Sequence, residues 1–385
     1  MDQNTTISNQ INTVIASFCT DDESYDFELF GSGHINTTFF VKRKCGGNKD
    51  YLLQRINHQI FKDVPGLMNN IKLVTEHLKN KLASVPGANP DLEVLTLIPT
   101  KENRFYEIDQ NGNFWRMYDF LHSNRYDVLE TEQQAYEGGK AFGKFQAMLS
   151  DMDADLLIET IPNFHNIEMR LKRFNEAIIN DVAGRVKEVS PEIAFLQERS
   201  EAMLKILGLG EGSILPVRII HNDTKFNNIL LDKADKAQCV IDLDTVMPGY
   251  VAYDFGDAIR TIINTAAEDE ADLSKIQLNI PLFAAYTKGY FKEAGFFLSD
   301  REIDSLLKGV LLIPYEQIVR FLTDYLEGDT YYKIHFPLHN LQRTRAQIEL
   351  LTKLEHHYKE LDEIVQGIAA LPSNENFLEE KNELT

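Results

Sequence analysis

The spacing of apolar residues at the start of the chain predicts a small unit built mainly from β-strands. Short runs of β-branched and aromatic residues occupy 27–57, where FELF, TTFFVKRK and YLLQRIN are separated by GSGHIN and by the turn sequence CGGNKD. Two further apolar runs, at 93–100 and 105–121, read as strands, and DQNGN in the second is typical of a hairpin turn. A helical period begins after Asp63. We therefore predict an antiparallel sheet with one helix inserted after its third strand.

From about residue 123 the apolar period becomes helical. The segment TEQQAYEGGKAFGKFQAMLSDM places alanines and phenylalanines on one side of a helix. Further helices are expected at 166–187, 191–207, 269–294, 300–326 and 338–369. Only 217–244 interrupts them, with short apolar strands around polar loops.

The order of these elements predicts an α+β fold with two lobes. A chain of 385 residues is long enough for two such units. Residues 1–120 are expected to form a small antiparallel sheet lobe, and 121–370 a larger, mainly helical lobe, with a hinge near 118–123. Residues 371–385 are polar and acidic and are expected to form a tail.

Composition and charge exclude several classes of partner. The net charge of −20 disfavours binding to nucleic acid and to anionic membranes, and no apolar run approaches the ~20 residues that span a bilayer. Cys19, Cys45 and Cys239 are far apart, so we expect neither a disulfide framework nor a zinc site. The N-terminus lacks a signal-peptide pattern, and we expect a cytoplasmic protein. The sequence leaves the oligomeric state open.

The interrupting segment carries polar residues in an order that suits phosphoryl transfer. HNDTKFNN, beginning at His221, fits H-x-D-x-x-x-x-N, and Asp242 follows an apolar strand nineteen residues after Asp223. Such a reaction needs one carboxylate beside the attacking hydroxyl, and further oxygen ligands that hold Mg²⁺ on the phosphates. Asp223, Asn228 and Asp242 supply that set. The alternative is that these residues only punctuate loops between strands.

Six segments between residues 31 and 332 together resemble a known family. They are GSGHINTTF, LLQRIN, HNDTKFNNIL, VIDLDTVMPG, DFGDAIR and RFLTDYLEGDTYY. They resemble the aminoglycoside phosphotransferase and choline kinase superfamily, which is similar to protein kinases in fold, and within it the N-acetylhexosamine 1-kinases. The resemblance implies a kinase that uses ATP and Mg²⁺ to phosphorylate the anomeric hydroxyl of N-acetylglucosamine or N-acetylgalactosamine. Asn222 replaces the glycine of the superfamily's H-G-D motif.

The resemblance also implies roles for single residues. Asp223 would be the catalytic base, and Asn228 and Asp242 would bind magnesium. Asp244, expected on the same strand and side as Asp242, would be a second metal ligand or a substrate contact. His221 would brace the loop.

On the nucleotide side, GSGHIN lies where kinases place a glycine-rich loop over the phosphates. Gly31, Gly33 and Asn36 occupy the three positions of G-x-G-x-x-G. The alternative is an ordinary hairpin turn, which often contains G-x-G.

Arg55 holds the place on the third strand where kinases have a lysine that reaches the α- and β-phosphates. Glu76 on the following helix could pair with it, or could belong to a solvated helix face. The adenine is expected against the hinge, where Asp119 and Leu121 offer backbone donors and acceptors.

On the acceptor side, Arg320, Asp324 and Tyr331 are the candidate sugar contacts, with Arg320 and Tyr331 favoured by the resemblance. Asp329 is a further candidate, and PNFHN at 162–166 could line the pocket or cap a helix. The alternative for the whole segment is a helix end with packed tyrosines.

The triplet Asp254-Phe255-Gly256 matches the metal-binding motif of protein kinases, yet it follows Asp223 by 31 residues instead of roughly twenty. We therefore expect Asp254 or Asp257 to cap the next helix or brace the catalytic loop. Two other functions stay open: a kinase of the same fold for an aminoglycoside, choline or another sugar, and a pseudokinase that only binds nucleotide.

Overall fold

The N-terminal lobe is a five-stranded antiparallel sheet in the order β1-β2-β3-β5-β4. The computed structural model describes residues 3–18, 25–31, 35–43, 49–126, 129–208 and 215–371. The strands are β1 (Tyr25–Leu29), β2 (Thr37–Arg43), β3 (Tyr51–Ile56), β4 (Glu107–Ile108) and β5 (Phe114–Asp119). The predicted lobe with a small antiparallel sheet is confirmed.

The predicted strand at 93–100 is wrong. Its first residue ends a short helix, α3 (Pro90–Glu93), and the rest runs beside β5 with one isolated bridge, Leu97 to Tyr118. Pro99, which has no N–H to donate, interrupts the run. The helix expected after Asp63 is present as α2 (Val64–Leu82), and the Asp63 side chain accepts a hydrogen bond from the Gly66 N–H.

An N-terminal helix, α1 (Gln3–Phe18), was not predicted. Ile11, Val14, Ile15 and Phe18 recur at helical spacing and are buried in one cluster with Leu53 of β3 and other sheet residues. Helix α1 therefore covers one face of the sheet, and the other face is left for the cleft between the lobes.

The C-terminal lobe is mainly helical, as predicted. Its helices are α4 (Glu132–Leu149), α5 (Ile167–Asn180), α6 (Ser190–Lys205), α7 (Val251–Ile262), α8 (Ile280–Ala294), α9 (Asp300–Leu326), α10 (His339–His356) and α11 (Tyr358–Ala369). The helix expected at 269–294 begins eleven residues later, where Asn279 caps α8 and Pro281 occupies its first turn. The helix expected at 338–369 is two helices, α10 and α11, that meet at His357.

Two small antiparallel sheets of two strands each hold the polar segment that interrupts these helices. Strand β6 (Arg218–Ile220) pairs with β9 (Met247–Gly249), and β7 (Ile229–Leu231) pairs with β8 (Ala237–Val240). Within the described residues, no helix is long and apolar enough to cross a membrane. Apart from residue 371, the predicted tail lies outside the described part of the chain.

Candidate active site

The catalytic loop joins β6 to β7. It turns at Asn222, which has an unusual backbone conformation. Asn222 has φ of 65°, in the left-handed region that glycine and asparagine tolerate best. Its side chain donates to the carbonyl of Thr245 at 2.9 Å. Asn222 therefore adopts a left-handed conformation that a glycine at this position would also allow, and its side chain adds a hydrogen bond.

Asp223 lies between two donors. Lys225 Nζ lies 3.0 Å from Asp223 Oδ1, and Asn228 Nδ2 donates to Oδ2 at 3.0 Å. Burial acts to raise the pKa of this carboxyl, but the positive charge of Lys225 and the two hydrogen bonds together hold the pKa below its usual value. Asp223 is therefore ionised at neutral pH and can accept a proton.

Asp254 braces the catalytic loop. Its buried carboxylate accepts hydrogen bonds from the backbone N–H groups of His221 (2.8 Å) and Asn222 (2.6 Å), and from Gln146 Nε2 (2.7 Å). Asp257 accepts from the Thr224 N–H at 2.9 Å. Burial raises the pKa of Asp254. These hydrogen bonds match the predicted bracing role.

The other two residues of the triplet, Phe255 and Gly256, pack in the core of the C-terminal lobe. Phe255 is fully buried, and a Cβ added to Gly256 would lie 2.3 Å from the carbonyl oxygen of Gly309 on α9. The predicted bracing role of His221 is also present, since its ring nitrogen Nε2 lies 2.9 Å from the carbonyl oxygen of Ile241. The sequence Asp254-Phe255-Gly256 is thus explained by helix packing and loop support.

Asp242 follows an apolar strand, as predicted, but the strand does not continue to Asp244, which corrects the prediction that the two residues share a strand. Strand β8 ends at Val240, and Asp242 has a left-handed backbone (φ 61°, ψ 58°) before a 3-10 turn over Leu243–Thr245. No hydrogen bond joins its carboxylate to any described side chain, and the side chain is exposed to the cleft. Enclosure by the cleft, together with the charges of Asp244 and Asp223, raises the pKa of Asp242 to about 6.

These residues fit Mg²⁺. The amide nitrogen of Asn228 donates to Asp223, so the amide oxygen of Asn228 is left to bind a cation. A cation would also offset the repulsion between the carboxylate of Asp242 and those of Asp244 and Asp223. Among the residues that the structure describes, no three His, Cys, Asp or Glu side chains form a metal cluster. A metal held here would therefore complete its shell with phosphate and water oxygens.

Asp244 has a different place from the one predicted for it. It is buried, and both of its oxygens pair with the Arg116 guanidinium, with Nη2 2.9 Å from Oδ2. Asn36 Nδ2 also donates to Oδ2 at 2.6 Å, and Asn36 Oδ1 accepts from the Asn57 N–H. The prediction that Asp244 contacts metal or substrate is corrected, because these hydrogen bonds join the two lobes. The Asn36 side chain is likewise bound to protein groups.

A cleft lies between the sheet and the second lobe, where the nucleotide site was predicted. Gly31, Asp119 and Leu121 line it together with Asn228 and Asp242, and nucleotide binding there stays a prediction. Gly31 has φ of 75° and Asp119 accepts from Lys49 Nζ at 2.8 Å. Gly33 lies outside the described residues.

Arg55 does not line this cleft, which corrects its predicted role. Gln54 and Leu52 face the cleft from β3, so Arg55 points to the opposite face, where it is exposed and donates to Thr37 Oγ1 at 3.2 Å. Glu76 pairs with Lys72 at 3.7 Å on the surface of α2. Among the described residues, the cations that line the cleft are Arg116 and Arg125, and neither was predicted from the sequence.

Arg320, Asp324 and Tyr331, the acceptor candidates, line one small pocket. Arg320 lies over the rings of Phe164 and Tyr332, at 5.4 and 5.7 Å from their centroids. Tyr331 is 54% exposed. The Asp324 oxygens accept from the N–H groups of three successive residues, 330–332, and from Asn340, so this carboxylate holds the loop that carries Tyr331, and a substrate contact by it stays a prediction.

The neighbouring loop supports the same pocket. Asp329 pairs with Arg185 at 2.6 Å and accepts from Asn340. The notion that the segment 162–166 caps a helix is confirmed, whereas its contact with an acceptor stays a prediction. Asn166 caps α5, and the segment lines a cavity that also reaches Asn222 in the catalytic loop.

One cluster beside the pocket lined by Arg320 was not predicted. His165 Nδ1 lies 3.0 Å from Glu316 Oε2, and Arg170 and Arg320 approach Glu316 Oε1 at 4.0 and 3.8 Å. Four of its buried polar atoms lack a hydrogen-bond partner within the described structure: His165 Nε2, Arg170 Nε, Glu316 Oε1 and Tyr332 Oη. Burial and the nearby charge of Arg320 lower the pKa of Arg170. Unpartnered buried polar atoms are rare in proteins and can indicate a ligand site.

Comparison with known proteins agrees with this geometry. The chain matches the model of the phosphotransferase enzyme family over residues 26–291. Similar structures include a microcompartment-associated aminopropanol kinase, with 16% identity and a TM-score of 0.59, covering 93% of this chain and 98% of that one. Another is an aminoglycoside phosphotransferase from Alicyclobacillus acidocaldarius subsp. acidocaldarius DSM 446, with 11% identity and a TM-score of 0.61, covering 93% and 96%. A third is choline kinase from Cryptosporidium parvum Iowa II, with 13% identity and a TM-score of 0.57, covering 97% and 99%. At identities this low, the structural similarity shows a shared two-lobed fold and no more.

Proposed function

Because the chain belongs to the phosphotransferase enzyme family, we propose that it is a kinase that transfers the γ-phosphoryl group of ATP to the anomeric hydroxyl of an N-acetylhexosamine, with Mg²⁺ as cofactor. The preferred acceptors are N-acetylglucosamine and N-acetylgalactosamine. The observation that carries the kinase assignment is that Asn228 and Asp242 line the same cleft and that Asn228 donates a hydrogen bond to Asp223 of the catalytic loop. All three polar residues are present, which argues against a pseudokinase.

The proposed reaction uses Asp223 as the base. Its ionised carboxylate orients the acceptor hydroxyl and takes its proton as the hydroxyl oxygen attacks the γ-phosphorus and the bond to ADP breaks. Lys225, 3.0 Å from Asp223, provides a positive charge beside the transferred group. Asn228 and Asp242 would hold Mg²⁺, which neutralises charge on the phosphates.

The charges around Glu316 favour a neutral acceptor over a cationic one. Arg170 and Arg320 flank the single carboxylate of Glu316, and His165 binds it from a third side. An ammonium group placed here would meet two guanidinium groups, whereas sugar hydroxyls can accept from arginine and donate to a carboxylate. The exposed Tyr331 ring offers a face for a sugar ring.

The second candidate is an amino alcohol or aminoglycoside. It is supported by the structural similarity to kinases that are named for such substrates. One assay separates the two candidates. Purified protein with Mg-ATP is offered N-acetylglucosamine, N-acetylgalactosamine, glucose, galactose, choline, 1-amino-2-propanol and an aminoglycoside, and ADP release is followed.

Phosphorus and proton NMR of the product then report the position of the phosphate. We expect a sugar 1-phosphate from the two N-acetylhexosamines. Turnover of only the amines would reject the sugar assignment. Asp223→Asn should abolish turnover, while Asp300→Asn, an exposed carboxylate at the start of α9, should leave it unchanged. Full activity in Asp223→Asn would reject the base.

A further inference from the structure

The cleft wall formed by the sheet carries no cation on its third strand. Leu52 and Gln54 face the cleft from β3, and Arg55 faces away. Of the described residues that line the cleft, the cationic ones are Arg116 and Arg125. A phosphate-binding cleft of this kind needs positive charge near the metal, and the arginine that joins the sheet to the metal-binding segment is Arg116.

Arg116 on β5 ties together segments from both lobes. It lies directly opposite Gln54 in the register of β3 and β5, and its Nε donates to Gln54 Oε1 at 2.9 Å. Its guanidinium binds both oxygens of Asp244 in the second lobe. Asp244 in turn accepts from Asn36, whose Oδ1 accepts from the Asn57 N–H at 3.0 Å. One buried ion pair therefore links four segments of the chain.

The energetics of this pair argue for a geometric role. Arg116 is 1% exposed and Asp244 is 3% exposed. A buried ion pair adds little to folding stability, because the loss of hydration offsets the attraction, and apolar pairs of similar size are often as stable. Arginine also binds a carboxylate in a bidentate manner, which fixes the orientation of the carboxylate as well as its distance from the guanidinium. The main effect of the Arg116–Asp244 pair is therefore to fix the relative positions of the segments that it joins.

Those positions matter most at Asp242. It lies two residues before Asp244 and has a left-handed backbone, so the direction of its carboxylate depends on how the turn Leu243–Thr245 is held. We infer that Arg116 is a positioning residue: it fixes Asp244, and through it Asn36 just before β2, so that the metal-binding turn is set for the phosphates of Mg-nucleotide. This inference rests on the kinase function proposed above.

The test separates phosphate binding from adenosine binding. In the double variant Arg116→Met with Asp244→Leu, the ion pair is replaced by apolar side chains. The control is the double variant Arg199→Met with Glu355→Leu. It removes a bidentate ion pair (2.8 and 3.0 Å) between α6 and α10. Isothermal titration with Mg-ADP and with adenosine gives two dissociation constants for each protein.

We expect the Arg116 double variant to bind Mg-ADP at least about tenfold more weakly, while its adenosine affinity stays within about twofold of wild type, because only the phosphate end has lost its support. The control should match wild type for both ligands. A merely structural role would leave the ratio of the two constants unchanged, and that result would overturn the inference.

A second variant keeps the inference testable if the first double variant does not fold. Arg116→Lys keeps the charge but cannot bind Asp244 and Gln54 together, so it should shift the same ratio by a smaller factor. A wild-type ratio in a folded Arg116→Lys protein would also overturn the inference. If wild-type protein itself binds no Mg-ADP, the kinase proposal fails first, and the two failures are thereby distinguished.

Discussion

Asp254 and Asp242 give opposite responses to the same substitution, and this contrast tests the site most directly. Asp254 accepts three hydrogen bonds, from the N–H groups of His221 and Asn222 and from Gln146. In Asp254→Asn the volume is kept, but one accepting oxygen becomes an NH₂ group that faces another donor. The catalytic loop would then lose part of its support whether or not a ligand is bound.

The magnitude follows from the hydrogen bonds that the substitution removes. A hydrogen bond to a charged group contributes about 1.5–3 kcal/mol, and a buried unpaired donor costs about 1–3 kcal/mol. Asp254→Asn breaks at least one such bond, so we expect a destabilisation of about 3 kcal/mol. For a lobe of roughly 250 residues, this lowers the midpoint of thermal unfolding by about 6–12 °C.

Asp242→Asn should behave differently. Its carboxylate makes no hydrogen bond to a described side chain and is crowded by Asp244 and Asp223, whose charges raise its pKa. Removing this charge should leave the thermal midpoint of the ligand-free protein unchanged or slightly higher. The affinity for Mg-ADP should fall by at least about tenfold, because a metal ligand is lost.

The assay is thermal unfolding with and without Mg-ADP, supported by titration calorimetry. We expect Asp254→Asn to unfold at a lower temperature in both conditions and to keep a Mg-ADP-dependent rise in the midpoint. The assignment of Asp254 to bracing would be refuted if its asparagine variant had a wild-type midpoint without ligand and showed no response to Mg-ADP. That pattern belongs to a metal ligand.

Three further predictions concern the same lobe. Gly256→Ala should destabilise the protein by about 1–3 kcal/mol, since its Cβ would lie 2.3 Å from a carbonyl oxygen of α9, whereas Gly367→Ala, where no atom lies within 4 Å, should not; equal midpoints would contradict this. Lys225→Met should raise the pKa of Asp223, so the acid limb of the kcat/KM profile should move to higher pH; an unmoved limb would show that the base titrates independently of Lys225. At pH 6, Mg-ADP binding should release about half a proton from Asp242, whose ligand-free pKa is about 6, and none at pH 8; heats independent of buffer ionisation at pH 6 would exclude this.

Helix α9 shows what the sequence predicts well. Its bounds match the prediction at both ends, because its start is encoded locally by the capping box of Ser299 and Glu302 and a glycine, Gly328, follows its end. Helix α8 was predicted too long at its start. The apolar period before Asn279 continues into a segment that is not helical, and only the cap and Pro281 mark the real beginning.

The face of a strand was harder to predict. Strand β3 has apolar residues on both faces, because α1 covers one face and the cleft lies on the other. Without α1, the alternation in YLLQRI does not show which face holds the nucleotide, and Arg55 was assigned to the wrong one. Arg116, one of the two cations that line the cleft among the described residues, lies on β5, where the family pattern gives no reason to expect a cation.

Carboxylates posed a related problem. Asp324 and Asp244 have the residue type and spacing of ligand-binding groups, and both have their oxygens occupied by protein donors. Whether a carboxylate is occupied depends on loops that fold back from distant positions, such as the turn before Tyr331. The places of Asn228 and Asp242 at the cleft could be predicted because the order of Asp223, Asn228 and Asp242 along the chain is itself part of the motif, and their roles stay a prediction.

The left-handed backbone at Asn222 has a consequence for how related chains are recognised. The loop requires a conformation at this position and does not require a particular residue, so both glycine and asparagine satisfy it. A sequence pattern that insists on glycine between the histidine and the aspartate would miss chains of this kind. A β-branched residue there would be strained, and a chain that carries one should have lost the loop geometry, and with it the activity, even if every catalytic side chain is retained.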